Sequence, residues 1–246
     1  IGYVQKDEQS FFEALGTLMD KAQQSLEIKR KLLEQLTDKG LYPYSKYYLR
    51  FIKATYGQYW KNHFSTIGLI GMNEALLNLI YQGITTSTGL NFARRILQFM
   101  RKKLADYQEE TGNIYNLEAT PAEGTSYRLA RKDKMQYPGI TVANENLLQQ
   151  GHEPFYTNSS QLPVDYTGDL FEALDHQENL QPLYTGGTVF HIYLGEQIPS
   201  WKSTAKLIRL VTEHSSLPYI TLTPTFSICP SHGYLKGKHT QCPTCT

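Results

Sequence analysis

The feature that most constrains the fold is the stretch from Asn113 to Arg131, which reads NIYNLEATPAEGTSYRLAR. It begins with a short apolar run at 114–117, which has the composition of a buried strand. A turn of small and polar residues follows at 120–126, and residues 127–134 have the composition of a helix. A strand, a short loop and a helix in this order predict an α/β unit.

The loop of this unit has two interpretations. Small residues before a helix bring backbone N–H groups and the positive end of the helix dipole to one point, where they bind anions such as phosphate. Gly124 allows close approach of the backbone, and Thr125 and Ser126 add two hydroxyl donors. The alternative is a plain strand-to-helix turn, in which Thr125 or Ser126 caps the helix.

Strands and helices also alternate along the rest of the chain. Apolar residues recur at three- and four-residue steps in two long segments, 7–39 and 89–110, which predicts amphipathic helices. Runs rich in β-formers at 188–194 and 217–223 flank a helical segment at 201–214, and the first run is apolar enough for a strand covered on both faces. This alternation predicts an α/β fold with βαβ crossovers and a mainly parallel sheet, either open or closed into a barrel.

Shorter elements are predicted from turn and capping residues. A strand and turn at 63–71 precede a short helix that Asn73 can cap. A further helix at 169–179 has Thr167 as its candidate cap. Residues 137–154 are polar and predict a loop with one helical turn.

The overall charge disfavours a dedicated nucleic-acid-binding protein. The chain has 24 Lys and Arg residues against 23 Asp and Glu residues, a formal net charge of +1, whereas such proteins normally have a basic excess. The stretch at 41–61 interleaves tyrosines with basic residues and could stack on bases, but a packed surface excursion is the favoured interpretation. No apolar run has the length of a membrane-spanning helix and the start does not resemble a signal peptide, so we expect a cytoplasmic location without membrane contact.

The cysteines predict a metal site. All three lie within the last 18 residues, in the knuckles Cys229-Pro-Ser-His232 and Cys242-Pro-Thr-Cys245. Two such knuckles facing each other supply four ligands that suit tetrahedral structural zinc. His239 is the alternative to His232 as the fourth ligand. Free thiols or a redox pair are further alternatives, but no thioredoxin-like unit is predicted around the tail.

Five segments resemble the anaerobic (class III) ribonucleoside-triphosphate reductases, which are glycyl-radical enzymes. They are the stretch from Asn113 described above, NHFSTIGLIGMNEALLN from Asn62, YTNSSQLPV from Tyr156, YTGGTVFHIYLGE from Tyr184 and TPTFSICPSHGY from Thr223. The resemblance covers nearly the whole chain in the family's order. It implies that residues 1–222 are the second half of the ten-stranded, mainly parallel α/β barrel of glycyl-radical enzymes, and that residues 223–246 are a small zinc-binding module.

The resemblance also implies roles for particular residues. The loop would cradle the phosphates of a ribonucleoside triphosphate, and the loop residues assigned to substrate binding are Pro121, Ala122, Gly124, Thr125 and Ser126. Asn158 lies between two apolar runs, where it could line the mouth of the barrel, and is a further substrate-binding candidate. Glu123 and Glu118 are the candidate catalytic residues, one of which would handle a proton at a ribose hydroxyl. Glu118 could instead be a strand-end residue paired with a lysine or arginine. The family has a zinc site at the tail, with four cysteines in some members, and His232 departs from that version.

The implied reaction is the anaerobic reduction of ribonucleoside triphosphates to deoxyribonucleoside triphosphates by radical chemistry. The product supplies DNA replication, and ATP binding is implied as well. The cofactors would be structural zinc and a glycyl radical generated by a separate S-adenosylmethionine iron–sulfur activating enzyme. The reductant would be formate or a dithiol protein, and the full-length enzyme is expected to be a homodimer. No cysteine lies in residues 1–228, so the thiyl cysteine is expected upstream, the glycyl segment downstream, and the fragment alone is expected to be inactive.

Two other functions remain as alternatives. One is a zinc-ribbon protein that binds nucleic acid through residues 41–61, which the near-neutral charge disfavours. The other is a glycyl-radical enzyme that acts on another substrate, a small metabolite. The hydroxyl groups of Thr125 and Ser126 favour a phosphorylated substrate instead.

Overall fold

The computed structural model describes residues 1–5, 7–119, 121–163, 166–195 and 200–245, without the side chains of residues 123 and 236. In chain order the elements are α1 (Glu8–Asp38), α2 (Pro43–Tyr48), α3 (Arg50–Tyr56), β1 (Ser65–Gly68), α4 (Met72–Ile80), α5 (Ser87–Thr111), β2 (Tyr115–Glu118), α6 (Glu123–Gln136), α7 (Glu145–Leu148), α8 (Leu170–Gln177), a 3₁₀ turn (Gln181–Leu183), β3 (Phe190–Tyr193), α9 (Trp201–His214), β4 (Ile220–Thr223), β5 (Phe226–Cys229) and β6 (Gly233–Lys236). The sequence therefore predicted the long helices and the strands near 114, 189 and 218 at their correct places.

The chain divides into two compact units. The first consists of Ile1–Tyr166 and Leu183–Gly187, and the second of Thr167–Pro182 and Thr188–Thr246. The cysteine-rich tail thus shares a unit with α8, β3, α9 and β4. The expected boundary at residue 223, between the half barrel and the zinc-binding module, stays a prediction.

Helices α1 and α5 form the core of the first unit, as their apolar periodicity predicts. The buried side chains of the two helices include Phe11, Leu15, Met19, Phe92, Ile96, Leu97, Met100 and Leu104. Burying each of these large apolar side chains contributes roughly 1.5–3 kcal/mol. Leu18, which the same periodicity assigns to the buried face, is 54% exposed, because it lies at the edge of a cavity of about 400 Å³.

The aromatic stretch at 41–61 contains two short helices, which the sequence did not predict. Helices α2 and α3 occupy it. Its basic residues bind within the chain: Lys46 Nζ donates to the Asp38 carbonyl at 2.7 Å, the Arg50 guanidinium lies 4.1 Å from the Tyr47 ring centroid, and Lys53 pairs with Asp38 at 3.6 Å. Cations held in this way are poorly placed to follow a phosphate backbone, which further disfavours the nucleic-acid alternative.

A buried arginine fixes the chain as it enters β1. Arg30 of α1 is 9% exposed. Its guanidinium donates to the carbonyls of Trp60 and His63 at 2.6 and 2.7 Å, and to Ser65 Oγ at 2.8 Å. A planar group with several donors suits such a cluster of acceptors. Arg30 therefore sets the position at which β1 begins.

Replacing Arg30 with methionine should lower the free energy of unfolding by about 2–3 kcal/mol, because two part-buried carbonyls and the buried hydroxyl of Ser65 lose their donor. Urea unfolding followed by circular dichroism measures this change. The exposed neighbour Lys31 is the matched control, and Lys31→Met should change stability by no more than about 0.5 kcal/mol. Equal effects of the two substitutions would contradict a special role for Arg30.

The strands pair in parallel, as the alternation of elements predicts. β1 pairs with β2 in the register Ser65↔Tyr115 to Gly68↔Glu118, and β3 pairs with β4 in the register Phe190↔Ile220 to Tyr193↔Thr223. Helices α4 and α5 make the first crossover and α9 makes the second. The tail adds an antiparallel hairpin, β5–β6, which the sequence did not predict.

Strand β3 is covered on one face only, so the expectation of burial on both faces was wrong. Phe190 and Ile192 are buried in a cluster with Leu174 of α8 and Val211 of α9. The alternate residues His191 and Tyr193 are exposed, and His191 Nδ1 lies 2.8 Å from Thr221 Oγ1 on β4. Period-two exposure follows because both helices of this cluster pack on the same face.

Two predicted helix caps were also wrong. The N-cap of α4 is Gly71, at φ +74°, and Asn73 lies inside the helix, where its Oδ1 accepts from the Ile84 amide at 3.0 Å. The N-cap of α8 is Asp169, which accepts from the Phe171 amide at 2.8 Å. In both cases a residue two positions from the predicted one takes the capping position. Local composition does not locate the end of a helix to better than one or two residues.

Candidate functional site

The predicted phosphate loop begins where two adjacent parallel strands end. Gly68, the last residue of β1, lies opposite Glu118, the last residue of β2. In α/β sheets this carboxyl edge is where ligands bind. Helix α4 begins shortly after β1 and α6 shortly after β2, so both helices start near this edge.

Helix α6 begins four residues earlier than the sequence predicts. Its N-cap is Ala122, which makes no side-chain capping bond to the described first turn. Capping by Thr125 or Ser126 was therefore a wrong prediction, since both lie inside the helix and the Ser126 amide already donates to the Ala122 carbonyl at 2.7 Å. The amides of Glu123, Gly124 and Thr125 are those that a helix leaves without an intrahelical acceptor.

The first turn of α6 presents small residues to open space. Pro121 and Gly124 are exposed, and Ala122 and Thr125 are half-buried. A Cβ built on Gly124 would meet nothing within 4 Å. An anion could thus reach the amides of this turn without displacing another part of the chain.

Ser126 is the exception among the loop residues, because its hydroxyl is already used. The side chain is 3% exposed. Its Oγ donates to the Tyr156 carbonyl and accepts from the Tyr156 amide at 3.0 Å. The Tyr156 phenol in turn donates to Asp133 Oδ2 at 2.8 Å, and burial together with that carboxylate raises the pKa of Tyr156. Ser126 therefore fastens α6 to the segment at Tyr156.

Asn158 lies in a segment that is bound to α4. It forms an isolated antiparallel bridge with Ile70. Next to it, Thr157 donates to the buried carboxylate of Glu74 from its amide at 3.0 Å and from its hydroxyl at 2.7 Å. Sequence analysis missed Glu74, because a glutamate in the first turn of a helix is common and marks no motif.

In the sequence, Gly186 and Gly187 before the run at 188–194 predict a tight turn, whereas in the structure the segment Tyr184–Gly187 runs beside β2. The amides of Thr185 and Gly186 donate to the Leu117 carbonyl at 3.1 and 2.7 Å, and Thr185 Oγ1 accepts from the Leu117 amide at 2.9 Å. One residue further along, the Ala119 amide donates to the Gly187 carbonyl at 2.8 Å. This pairing fixes the chain at the start of the loop.

The two glycines permit this close approach. A Cβ on Gly186 would lie 2.9 Å from Asn116 Nδ2, and a Cβ on Gly187 would lie 3.2 Å from Glu118 Oε1. Glu118 therefore lies beside Gly187, and it forms no ion pair with a lysine or arginine in the described part of the chain. The side chain of Glu123 lies outside the described residues, so its catalytic role stays a prediction.

The tail brings together the four metal ligands that the sequence predicts. Sulfur and ring-nitrogen atoms of Cys229, His232, Cys242 and Cys245 all lie within 4.8 Å of one another. The Sγ atoms of Cys229 and Cys245 are 3.5 Å apart, and His232 Nδ1 lies 3.3–3.6 Å from the three sulfurs. Tetrahedral zinc with ordinary bond lengths requires about 3.8 Å between sulfurs and about 3.6 Å between sulfur and nitrogen. The four residues therefore fit zinc, with His232 rather than His239 in the cluster.

The thiols of this cluster differ in acidity. Burial opposes ionisation of Cys242, but hydrogen bonds from the Thr244 amide, the Cys229 thiol and the Cys245 amide lower its pKa to about 6. Hydrogen bonding to Cys229 and Cys242 raises the pKa of Cys245 to about 11. Cys242 thus supplies a thiolate near neutral pH, the form that binds metal.

Comparison with known proteins identifies the family. A family model described as anaerobic ribonucleoside-triphosphate reductase matches residues 1–246. The chain belongs to this family. The anaerobic ribonucleoside-triphosphate reductase of Enterobacteria phage T4 is 26% identical over 151 residues, which are 61% of the chain and 22% of that protein. The reductase of Escherichia coli K12 is 24% identical over 193 residues, which are 73% of the chain and 25% of that protein.

Solved structures of anaerobic ribonucleotide reductases share the fold. One has a TM-score of 0.74 at 19% identity, and the matched region is 97% of this chain and 35% of that protein. The enzyme from Thermotoga maritima, with MES in its active site, has a TM-score of 0.72 at 21% identity. The matched region is 97% of this chain and 37% of that protein. The expected fold class, a glycyl-radical α/β barrel with a cysteine- and histidine-containing tail, is thereby confirmed.

The reductase chain described here spans about a quarter of the length of the curated relatives it matches. Among the described residues, no helix combines the length and the apolar character needed to cross a lipid bilayer.

Proposed function

We propose that this chain is part of an enzyme that reduces ribonucleoside triphosphates to deoxyribonucleoside triphosphates by radical chemistry without oxygen. The observation that carries the proposal is the open first turn of α6 at the carboxyl edge of β1 and β2, in a chain of the reductase family. A related structure from Thermotoga maritima was solved in complex with dATP and CTP, at 19% identity and a TM-score of 0.72. That complex supports nucleoside triphosphates as the ligand class.

In this proposal the substrate phosphates bind at the start of α6. The free amides of Gly124 and Thr125 and the helix dipole attract the anion, and the Thr125 hydroxyl adds a donor. Pro121 and Ala122 shape the approach without bulky side chains. Asn158 is proposed as a further polar contact.

The two glutamates are proposed to act on the ribose. A carboxylate beside the phosphates would repel them, so Glu118 and Glu123 are better placed toward the sugar, where one of them holds or moves a proton at a hydroxyl. Glu118 lies at the end of β2 without a basic partner among the residues described. This lack of a partner favours the catalytic interpretation over a structural ion pair.

The tail is proposed to hold one zinc ion with a structural role. Zinc bound by Cys229, His232, Cys242 and Cys245 would cross-link the β5–β6 hairpin to the end of the chain. By role, residues 1–222 then belong to the barrel and residues 223–246 form the zinc module.

The remaining partners follow from the family and are proposals for the whole enzyme. They are a glycyl radical set by an S-adenosylmethionine iron–sulfur activating enzyme, formate or a dithiol protein as reductant, and a second copy of the chain in a homodimer. A cytoplasmic location, ATP binding and a role in supplying DNA replication belong to the same proposal.

Substitution of Gly124 with alanine tests the phosphate site. The helix should become more stable by about 0.5–1 kcal/mol, because alanine is the better helix former. Affinity for a ribonucleoside triphosphate should nevertheless fall about tenfold, because the added methyl group lies where the anion approaches the amides. Thermal unfolding and isothermal titration of the complete reductase measure the two effects.

Gly168 offers a matched control, since a Cβ built there also meets nothing within 4 Å. Gly168→Ala should leave nucleotide affinity unchanged. Normal affinity in Gly124→Ala would contradict phosphate binding at the start of α6.

A further inference from the structure

Both ends of the loop are fastened to other segments of the first unit. At its start, the Tyr184–Gly187 segment is hydrogen-bonded to Leu117 of β2 and to Ala119, which follows the strand. At its end, Ser126 is hydrogen-bonded in both directions to the main chain of Tyr156. The geometry of the loop is therefore set by where these two fastening segments lie.

A buried hydrogen bond joins the two fastening segments. Ser160 Oγ and Tyr184 Oη lie 2.8 Å apart. Ser160 is completely buried and Tyr184 is 6% exposed. Burial raises the pKa of Tyr184 to about 12, so its phenol keeps its proton near neutral pH. The bond closes a ring that runs from β2 through Tyr184, Ser160, Tyr156 and Ser126 to the loop and back to β2.

We infer that the Ser160–Tyr184 hydrogen bond is a positioning device for the phosphate-binding loop, which rests on the proposed function above. Neither residue can touch a nucleotide at the exposed turn of α6, because both side chains are buried. They act by holding the two ends of the loop at a fixed separation. Small displacements of a binding group are sufficient to lower affinity, so loss of this bond should weaken binding from a distance.

The test uses Tyr184→Phe in the complete reductase, which removes one hydroxyl and keeps the ring. Tyr107→Phe is the matched control, since Tyr107 is 3% exposed and its phenol donates to Asp20 at 2.6 Å between α5 and α1. Both variants should show a similar fall in Tm. Affinity for a ribonucleoside triphosphate, titrated well below Tm, should fall about three- to tenfold in Tyr184→Phe only.

Two further measurements separate positioning from general destabilisation. Amide hydrogen exchange at residue 119 and at residues 122–126 should accelerate in Tyr184→Phe and stay unchanged in Tyr107→Phe. The loss of nucleotide affinity in the double variant Ser160→Ala, Tyr184→Phe should be smaller than the sum of the losses in the two single variants, because both substitutions remove the bond between these residues.

The outcomes distinguish this inference from the proposed function. If Gly124→Ala weakens binding while Tyr184→Phe and Tyr107→Phe bind equally well, the loop binds phosphate and the positioning inference is wrong. If Gly124→Ala has no effect, the proposed phosphate site is wrong. Faster exchange at the loop amides in Tyr184→Phe would then still show that the bond holds the loop. Unchanged exchange would contradict the positioning inference as well.

Discussion

Replacing Cys242 with serine should release the metal from the tail. Purified under reducing conditions, the unmodified chain should contain about one zinc ion, because four ligand atoms lie within 4.8 Å of one another. Serine removes one of the four ligand atoms, and zinc affinity should fall on the order of a hundredfold or more. Elemental analysis measures the zinc content.

The effect on structure should be local. The β5–β6 hairpin should lose order, while α1 and α5 keep their helical signal in circular dichroism, since they belong to the other unit. His232→Ala should lose zinc as well. His239→Ala should retain it, because His239 is not one of the four residues of the cluster. A well-folded chain without metal would overturn the zinc assignment, and loss of zinc in His239→Ala alone would overturn the choice of ligand.

Replacing both Thr125 and Ser126 with alanine should weaken ribonucleoside-triphosphate binding roughly ten- to a hundredfold or more. A hydrogen bond to a charged acceptor contributes about 1.5–3 kcal/mol, and each 1.4 kcal/mol corresponds to about a factor of ten. Thr125 would lose a direct phosphate donor. The Ser126 substitution would remove the hydrogen bonds to the Tyr156 main chain, which position the start of α6. Titration of the complete reductase with nucleotide measures the loss.

The single substitutions should separate these two roles. Thr125→Ala should lower affinity without lowering Tm, because its side chain is half-buried at the open turn. Ser126→Ala should lower both, because the part-buried amide and carbonyl of Tyr156 lose their partner, at a cost of about 1–3 kcal/mol. Zinc content should be unchanged in every variant. Normal nucleotide binding together with a lower Tm in the double variant would show that the loop is only a helix start.

Local patterns were reliable wherever a single segment decides its own structure. The periodicity of 7–39 and 89–110 predicted α1 and α5, because a helix of that length needs only one apolar face to pack. The alternation of strands and helices predicted parallel pairing, since parallel strands require crossovers. The spacing of the two knuckles predicted the metal cluster, because ligands three residues apart meet in one tight turn.

Features that depend on distant partners were missed or misplaced. Capping by Ser126 was the expectation from composition, but Tyr156, thirty residues away, takes its hydroxyl into a buried pair. The glycines at 186 and 187 predicted a turn. In the structure they leave room for the close approach of β2, whose residues Asn116, Leu117 and Glu118 lie against them. Covering of β3 on both faces was expected from its apolar run, yet α8 and α9 pack on one face only.

The sequence by itself determined the α/β class, the long helices, the family and the three cysteine ligands, whereas the structure decided between His232 and His239 as the fourth ligand. Each of these features depends on residue types at short, fixed spacings, and such spacings are visible in the sequence. Only the tertiary structure decided that α6 starts at Glu123, that Ser126 holds Tyr156, and that Tyr184 and Ser160 join the two ends of the loop. Those contacts join residues that are far apart in the chain, and hydrogen-bond partners of that kind are chosen by packing rather than by local composition.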